Sequence, residues 1–400
     1  MNSRDYIALE EQYGANNYAP LDVVIDHAQG VWVTDVDGAQ YLDCLSSYSA
    51  LNQGHLHPKI LSALIEQASQ VTLTSRAFRN KQLPLFYKEL SELTGYQKSL
   101  PMNSGAEAVE TALKLARKWA YVVKGIPRYN AEIITVAGNF HGRTISLVSI
   151  STEPKYKKDF GPYTPGFVTV SYGDAGEIDR AINKNTAAVL LEPIQGEAGV
   201  IIPPPGYLRQ VREICRQNNI LMIADEIQTG LGRTGKLFAC DHEEVRPDIM
   251  VIGKALSGGF YPVSAILADA HIMDCFTPGD HGSTFGGNPL AAAVARASIR
   301  VIVEENMIEN SARMGEYLQD QLAEISSPHI KEVRGKGLLI GVELKPEAGG
   351  ARRFCENLKE NGVLAKETHG NIIRFAPPLI IDRTTIDWAL PKIRAVLTQK

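Results

Sequence analysis

Short apolar runs rich in β-branched residues recur through the middle of this chain, and longer amphipathic stretches separate them. Glu132 to Ala137, Thr186 to Leu191, Ile220 to Ala224 and Asp248 to Ile252 read as strands. Ala106 to Val123 and Gly206 to Asn218 carry apolar residues at helical spacing. Strands alternating with helices restrict a chain to βαβ units and a mostly parallel sheet. Strands that are apolar at nearly every position need cover on both faces. The expected fold class is therefore α/β.

Both ends of the chain depart from this pattern. Gly30 to Thr34 and Gln40 to Asp43 predict a hairpin turning through Asp35-Val-Asp-Gly38. After Pro289 come two helical stretches, Leu290 to Glu305 and Ser311 to Glu324. A strand at Leu338 to Leu344, a helix near Ala351 to Asn361 and a short strand at Ile372 to Phe375 follow. The expected division is an N-terminal segment (1–45), a large α/β domain (46–288) and a C-terminal α+β unit (289–400). The N-terminal segment is expected to join the last of these in a smaller domain.

Charge and cysteine usage exclude several functions. The 400 residues carry 41 Lys and Arg against 45 Asp and Glu, a net charge of −4. That balance argues against a nucleic-acid partner, and neither a Lys/Arg run nor an apolar run of ~18 residues marks a membrane partner. Cys44, Cys215, Cys240, Cys275 and Cys355 are scattered without CxxC spacing, so neither a disulfide framework nor a metal site is expected. Such usage suits a reducing compartment. No apolar segment resembling a secretion signal follows the first residues, so a cytoplasmic location is expected.

Ligands of open α/β sheets bind beyond the carboxyl ends of the strands. The four strand ends here carry Gly138-Asn-Phe-His-Gly-Arg143, Glu192-Pro-Ile-Gln-Gly-Glu197, Asp225-Glu-Ile-Gln228 and Gly253-Lys254. Polar groups at four successive ends point to one shared crevice. Lys254 directly follows an apolar strand, where partial desolvation lowers a lysine's pKa and frees the amine as a nucleophile. By position alone the more ordinary reading is a lysine with a buried stem and a solvated head. Asp225 ends the neighbouring strand and calls for a cation opposite it. By itself it also reads as a helix cap or an ion-pair member.

A lysine nucleophile and an aspartate facing a ring nitrogen are the two groups that pyridoxal 5'-phosphate requires of a protein. Its phosphate needs backbone donors. Ser104 and Glu107 form a capping-box pattern at the start of a helix, and Gly105 and Ala106 present its first N–H groups. Phe140 is a candidate wall for the ring.

Together these segments resemble the class III aminotransferases. The resemblance rests on Asn103-Ser-Gly-Ala-Glu-Ala108, Phe140-His-Gly-Arg-Thr144, Glu192-Pro-Ile-Gln-Gly-Glu197, Asp225-Glu-Ile-Gln-Thr-Gly-Leu-Gly-Arg-Thr-Gly235, Gly253-Lys254 and Ser283-Thr-Phe-Gly-Gly-Asn-Pro289. It covers nearly the whole chain and implies a fold type I pyridoxal-phosphate transferase. Lys254 is then the catalytic lysine. Ser104, Gly105, Ala106, Phe140, His141, Asp225 and Gln228 become cofactor-binding residues, with Gln228 on the 3'-oxygen. Ser283 and Thr284 are implied to reach the phosphate of a neighbouring subunit, which makes the active unit a homodimer with its site at the interface.

Within that family the chain is most similar to the subgroup that takes the δ-amino group of ornithine. Asn17-Tyr-Ala-Pro20, Leu45-Ser-Ser-Tyr48, Leu73-Thr-Ser-Arg-Ala-Phe78 and Thr368-His-Gly-Asn-Ile-Ile-Arg374 carry this likeness. His141 departs from the Phe-Trp pair of the animal members. The resemblance assigns the distal substrate carboxylate to Arg143 and Tyr18, and places Tyr48 at the site. It gives the α-carboxylate of a 2-oxo acid to Arg374, masked by Glu197 while the diamine is bound. Partners are then small amino and oxo acids. Acetylornithine and 4-aminobutyrate remain open as alternative substrates, as do an aminomutase and a non-catalytic cofactor-binding protein.

Overall fold

A computed structural model describes residues 1–399. Its centre is a seven-stranded sheet, with strands β1 (Lys98–Met102), β2 (Glu132–Val136), β3 (Phe167–Val170), β4 (Thr186–Leu191), β5 (Leu221–Asp225), β6 (Ile249–Ile252) and β7 (Ser264–Ala268). Their spatial order is β1-β7-β6-β5-β4-β2-β3. The five strands from β6 to β3 run parallel, and β7 lies antiparallel between β1 and β6. The α/β expectation holds, with one reversed strand that the run Ser264-Ala-Ile-Leu-Ala268 did not reveal.

Every residue of β4, β5, β6 and β7 is buried. Side chains alternate between faces of a strand, so burial of both parities requires two covering layers. Ile133, Leu190, Ile223 and Val251 meet helix α1 (Gly105–Trp119) on one face. Ile134, Val189, Leu191 and Met222 meet the helices Ala175–Ala181 and Tyr207–Gln217 on the other.

Two smaller sheets, one mixed and one antiparallel, flank this core. The N-terminal strands Ile25–Gln29, Trp32–Asp35 and Gln40–Asp43 include the expected hairpin. Val363–Leu364, from the far end of the chain, pairs parallel with Gln40–Asp43. The second sheet contains Ile330–Lys336, Leu339–Leu344, Ile372–Phe375 and Lys366–Thr368. Arg374 lies on Ile372–Phe375, the third strand of this sheet in spatial order, and reaches the loop after β4 through its ion pair with Glu197.

Candidate active site

The loops after β2, β4, β5 and β6 and the first turn of α1 converge on a cavity of about 200 Å³. Gly105, Ala106, Phe140, His141, Glu192, Glu197, Asp225, Gln228 and Lys254 line it. Eight of the fifteen residues assigned from sequence are among them; Ser104, Ser283, Thr284, Tyr18, Tyr48, Arg143 and Arg374 are not.

Lys254 follows β6 in a left-handed backbone conformation, φ +43°. A non-glycine residue held there stores backbone strain, which persists only when its surroundings over-determine it. The next carbonyl, Ala255 O, accepts from Gln53 Nε2 (2.8 Å) and Ser298 Oγ (3.0 Å), both buried. Burial lowers the Lys254 pKa, and Glu197 opposes that shift while Arg374 adds to it. The amine is thus easier to free than an ordinary lysine's.

Asp225 ends β5. Its Oδ2 accepts from His141 Nδ1 (2.6 Å) and its Oδ1 from the Ile227 N–H (3.1 Å). The His141 ring is fully buried, and its Nε2 has no partner. Burial disfavours the imidazolium, but the hydrogen bond to Asp225 and its charge outweigh it and raise the His141 pKa. Glu192 was missed as a functional residue. Burial pushes its carboxyl up to about 8, against the pull of His141. It accepts the Phe140 N–H at 2.8 Å and so fixes the turn that carries His141.

The start of α1 is built as its sequence predicts. Ser104 Oγ accepts the Glu107 N–H (3.2 Å), and Glu107 Oε2 accepts the Ser104 N–H (2.7 Å). The N–H groups of Gly105 and Ala106 belong to the first turn, where a helix supplies no acceptor. A Cβ at Gly105 would stand 3.0 Å from Ile227 Cδ1, so a side chain there would have to push the end of Ile227 aside.

These residues fit pyridoxal phosphate. The first turn of α1 offers donors to a phosphate, Asp225 offers an anchored acceptor to a ring N–H, and Lys254 offers an amine. Gln228 supplies a further polar group: its Oε1 is buried without a partner. Its amide nitrogen, however, donates to Glu197 Oε1 (2.9 Å). The Phe140 ring meets Tyr156 edge-on at 5.9 Å.

Glu197 also accepts from Arg374 Nη1 at 2.8 Å. Burial works against its charge, yet Arg374, Lys254 and Gln228 bring its pKa down to about 2. The Arg374 guanidinium is 4.9 Å from the Tyr48 ring centre. Tyr48 belongs to a turn of four consecutive positive-φ residues, Ser46 (+49°), Ser47 (+46°), Tyr48 (+60°) and Ser49 (+76°). This left-handed turn is tied down by Asp43 Oδ1, which accepts the Leu45 and Ser46 N–H groups, and by Ser46 Oγ, which donates to Ala376 O (2.7 Å).

Arg143 is exposed at the rim, its guanidinium 3.7 Å from the Tyr156 ring centre. No carboxylate pairs with it among the described residues. Tyr18 is 78% exposed and close enough to Tyr48 to raise that phenol's pKa after burial and Glu197 have done so. Arg352 holds this N-terminal segment by donating to Ala19 O (2.9 Å) and Pro20 O (2.5 Å). Ser283 and Thr284 do not line the cavity. Ser283 Oγ instead accepts from Asn103 Nδ2 of its own chain (2.9 Å).

Arg233 was also missed. It is completely buried without a carboxylate partner, and burial lowers its pKa to about 9. It donates to Asn52 Oδ1, Leu338 O and Pro377 O, which joins the loop after β5 to the loop at Asn52 and to the ends of two strands of the second small sheet. Its place in the glycine-rich run Gly230-Leu-Gly-Arg-Thr-Gly235 was the available signal.

Residues 13–397 match the family model described as aminotransferase class-III. The ornithine aminotransferase of Macrococcus caseolyticus is 57% identical over 99% of this chain and 99% of its own length. The ornithine aminotransferase of Toxoplasma gondii, in a structure with partial occupancy of PLP at its active site, superposes with a TM-score of 0.98. It is 46% identical, covering 99% of this chain and 94% of that one. The acetylornithine aminotransferase of Elizabethkingia anophelis superposes at 0.91, with 49% identity over 99% of both chains.

Proposed function

The chain belongs to the class III aminotransferase family, and from that premise we propose that it moves the δ-amino group of L-ornithine to 2-oxoglutarate. The products are glutamate 5-semialdehyde, which cyclises to pyrroline-5-carboxylate, and L-glutamate. One observation carries the reading: Glu197 neutralises Arg374 inside the site, while Arg143 stands at the rim with no carboxylate. A diamino acid then finds one available cationic anchor, outside the lining of the cavity that holds Lys254, and enters with its distal amine first. A dicarboxylate needs two anchors and recruits Arg374 by displacing Glu197.

Bound pyridoxal phosphate supplies a ring that takes up the charge left when a substrate carbon loses its proton. Asp225, held by His141 and the Ile227 N–H, would accept a hydrogen bond from the proton-bearing ring nitrogen, and the first turn of α1 would hold the phosphate. Lys254, with its lowered pKa, removes the proton from the substrate carbon and returns it as general base and acid. Arg143 and Tyr18 orient ornithine, Tyr48 packs on Arg374, and the two half-reactions alternate in a ping-pong sequence.

We assign Ser283 and Thr284 to the phosphate of a second copy, and the active unit to a homodimer. Phe78 (74% exposed), Phe285 (46%) and Leu73 (37%) support this, because they lie on segments that Asn80 ties together through Gly287 O. Large apolar side chains exposed together favour a covering partner. Residues 1–45 and 289–400 are assigned to one smaller domain on the pairing of Val363–Leu364 with Gln40–Asp43. No helix among the described residues is long and apolar enough to cross a membrane, and a cytoplasmic site of action fits the buried free cysteines.

The likeness to an acetylornithine aminotransferase keeps that substrate as the second reading. Single-turnover reaction with L-ornithine, without 2-oxoglutarate, decides between them. Change in the cofactor absorbance with pyrroline-5-carboxylate trapped by o-aminobenzaldehyde supports ornithine. Persistence with ornithine and loss with N-acetylornithine supports the second reading.

A further inference from the structure

A second arginine stands in line with Arg374. In the C-terminal sheet Arg334 pairs with Gly341, and Gly341 pairs with Arg374, on three adjacent strands. Residues directly opposite one another point to the same face of a sheet. The two arginines therefore flank a glycine on one face, and the glycine leaves a slot between them. The loop after β4 lies in that slot: a Cβ at Gly341 would stand 3.1 Å from Gly199 O and 3.2 Å from Val200 Cβ. Arg374 Nη1 takes the Glu197 carboxylate at one end of the loop (2.8 Å). Arg334 takes backbone at the other end, its Nη2 donating to Gly199 O (2.8 Å) and its Nε to Val200 O (3.0 Å).

The loop needs this hold. Gly199 has φ +110° and Val200 φ +56°. For a β-branched residue that conformation is strained and persists only where the surroundings over-determine it. Val200 is fully buried, and a Cβ at Gly199 would stand 2.1 Å from Ile372 Cδ1. Thr368 Oγ1, on the strand beyond Arg374, donates to Glu197 O. Backbone bonds between Gln195 and Ile201 (3.1 and 2.9 Å) close the base of the loop. The Arg334 charge is balanced within its own sheet, since Nη1 donates to Glu332 and Glu343. With the backbone held at each of these points, the Glu197 side chain is the part left to move. It lines both the Lys254 cavity and an adjoining one of about 220 Å³.

We propose that Arg334 is a positioning residue for the Glu197–Arg374 pair: it fixes the loop after β4 to the sheet that carries Arg374, so that the pair opens by rotation of the Glu197 side chain while its backbone stays in place. The proposal rests on the reading that Glu197 masks Arg374 from ornithine. Arg334 touches no reacting atom and acts through Glu197 alone. Without it the strained turn relaxes, the carboxylate loses its alignment, and Arg374 becomes available to either substrate.

The test is a double-mutant cycle on cofactor-loaded enzyme with two readouts. One is the ratio of α- to δ-transamination in the first half-reaction with L-ornithine. The other is the Kd of glutarate, a dicarboxylate that cannot react. Arg334→Met should raise the ratio about 3- to 10-fold and tighten glutarate by a similar factor, the scale of one hydrogen bond. Arg334→Lys, which keeps the charge and loses the fork, should fall between it and wild type. In a Glu197→Ala background Arg334→Met should change neither readout, because no carboxylate remains to be positioned. A merely structural lesion would weaken glutarate binding and would act in both backgrounds. Should Arg334→Met fail to fold, Gly341→Ala replaces it in the cycle: it keeps both arginines, crowds Gly199 O and Val200, and should move both readouts in the same direction. Unchanged readouts in the tested variant, or equal changes in both backgrounds, overturn the proposal while the effect of Glu197→Ala stands. If Glu197→Ala itself alters neither readout, the masking of Arg374 and this proposal fall together, and δ-transamination of ornithine stands. Wild-type enzyme that ignores ornithine overturns the proposed activity, and the glutarate cycle then decides the role of Arg334 by itself.

Discussion

Glu197 and Arg374 form an ion pair of 2.8 Å that crosses from the loop after β4 to the C-terminal sheet, between residues 177 positions apart. Arg374 is 1% exposed, and its Nε has no partner, so the guanidinium has unused capacity inside the site. Glu197→Ala frees it. The variant should admit ornithine in both orientations and raise α- over δ-transamination. Product analysis of the first half-reaction checks this, and an unchanged product ratio would sink the gate.

Lys254 is the proton carrier of both half-reactions. Lys254→Ala should lower kcat by about 10²–10⁴-fold or more, the range of a positioned general acid–base group. Small added amines should restore part of the rate. Rapid-quench measurement of each half-reaction reads both effects, and a variant of near-normal rate would remove Lys254 from the chemistry.

Glu192 makes stability depend on pH. Its carboxyl keeps a proton to about 8 in the fold, against an ordinary value of 4.5. Between those values the folded chain binds a proton that the unfolded chain has released, so stability falls as pH rises. The slope reaches up to about 1.4 kcal/mol per pH unit. His141, whose pKa is also raised, acts in the same direction above its ordinary 6.5. Glu192→Gln should flatten the dependence, as read from urea midpoints of wild-type and variant cofactor-loaded protein at pH 5.5 to 8. Parallel curves would contradict a neutral Glu192.

The left-handed turn Ser46–Ser49 separates strain from anchoring. Ser47 is exposed at φ +46°, and Ser47→Gly should stabilise the fold by up to about 1 kcal/mol by removing the Cβ clash. Ser46 is fully buried on Ala376 O, and Ser46→Ala should cost about 1 kcal/mol. Chemical unfolding of both variants checks the pair of opposite signs. Because the turn carries Tyr48 onto Arg374, Ser46→Ala should also raise the KM for 2-oxoglutarate.

Much of this architecture is local in origin. The apolar runs at Thr186–Leu191 and Ile249–Ile252 announced buried strands because each residue in them is hydrophobic or small enough to pack on either face. Ser104 and Glu107 announced a helix start because their bonds span three residues. Lys254 and Asp225 were legible because a charged residue directly after an apolar strand has few places to go. The roles of Glu192 and Arg233 were not legible, nor was the turn of Gln228 toward Glu197. Each depends on contacts between segments that meet only when the layers pack, and desolvation there sets protonation and partner choice. Sequence by itself determined which residues stand at the strand ends. Tertiary structure decided which of their polar atoms are satisfied and which are buried without a partner, because that depends on burial and geometry summed over distant parts of the chain.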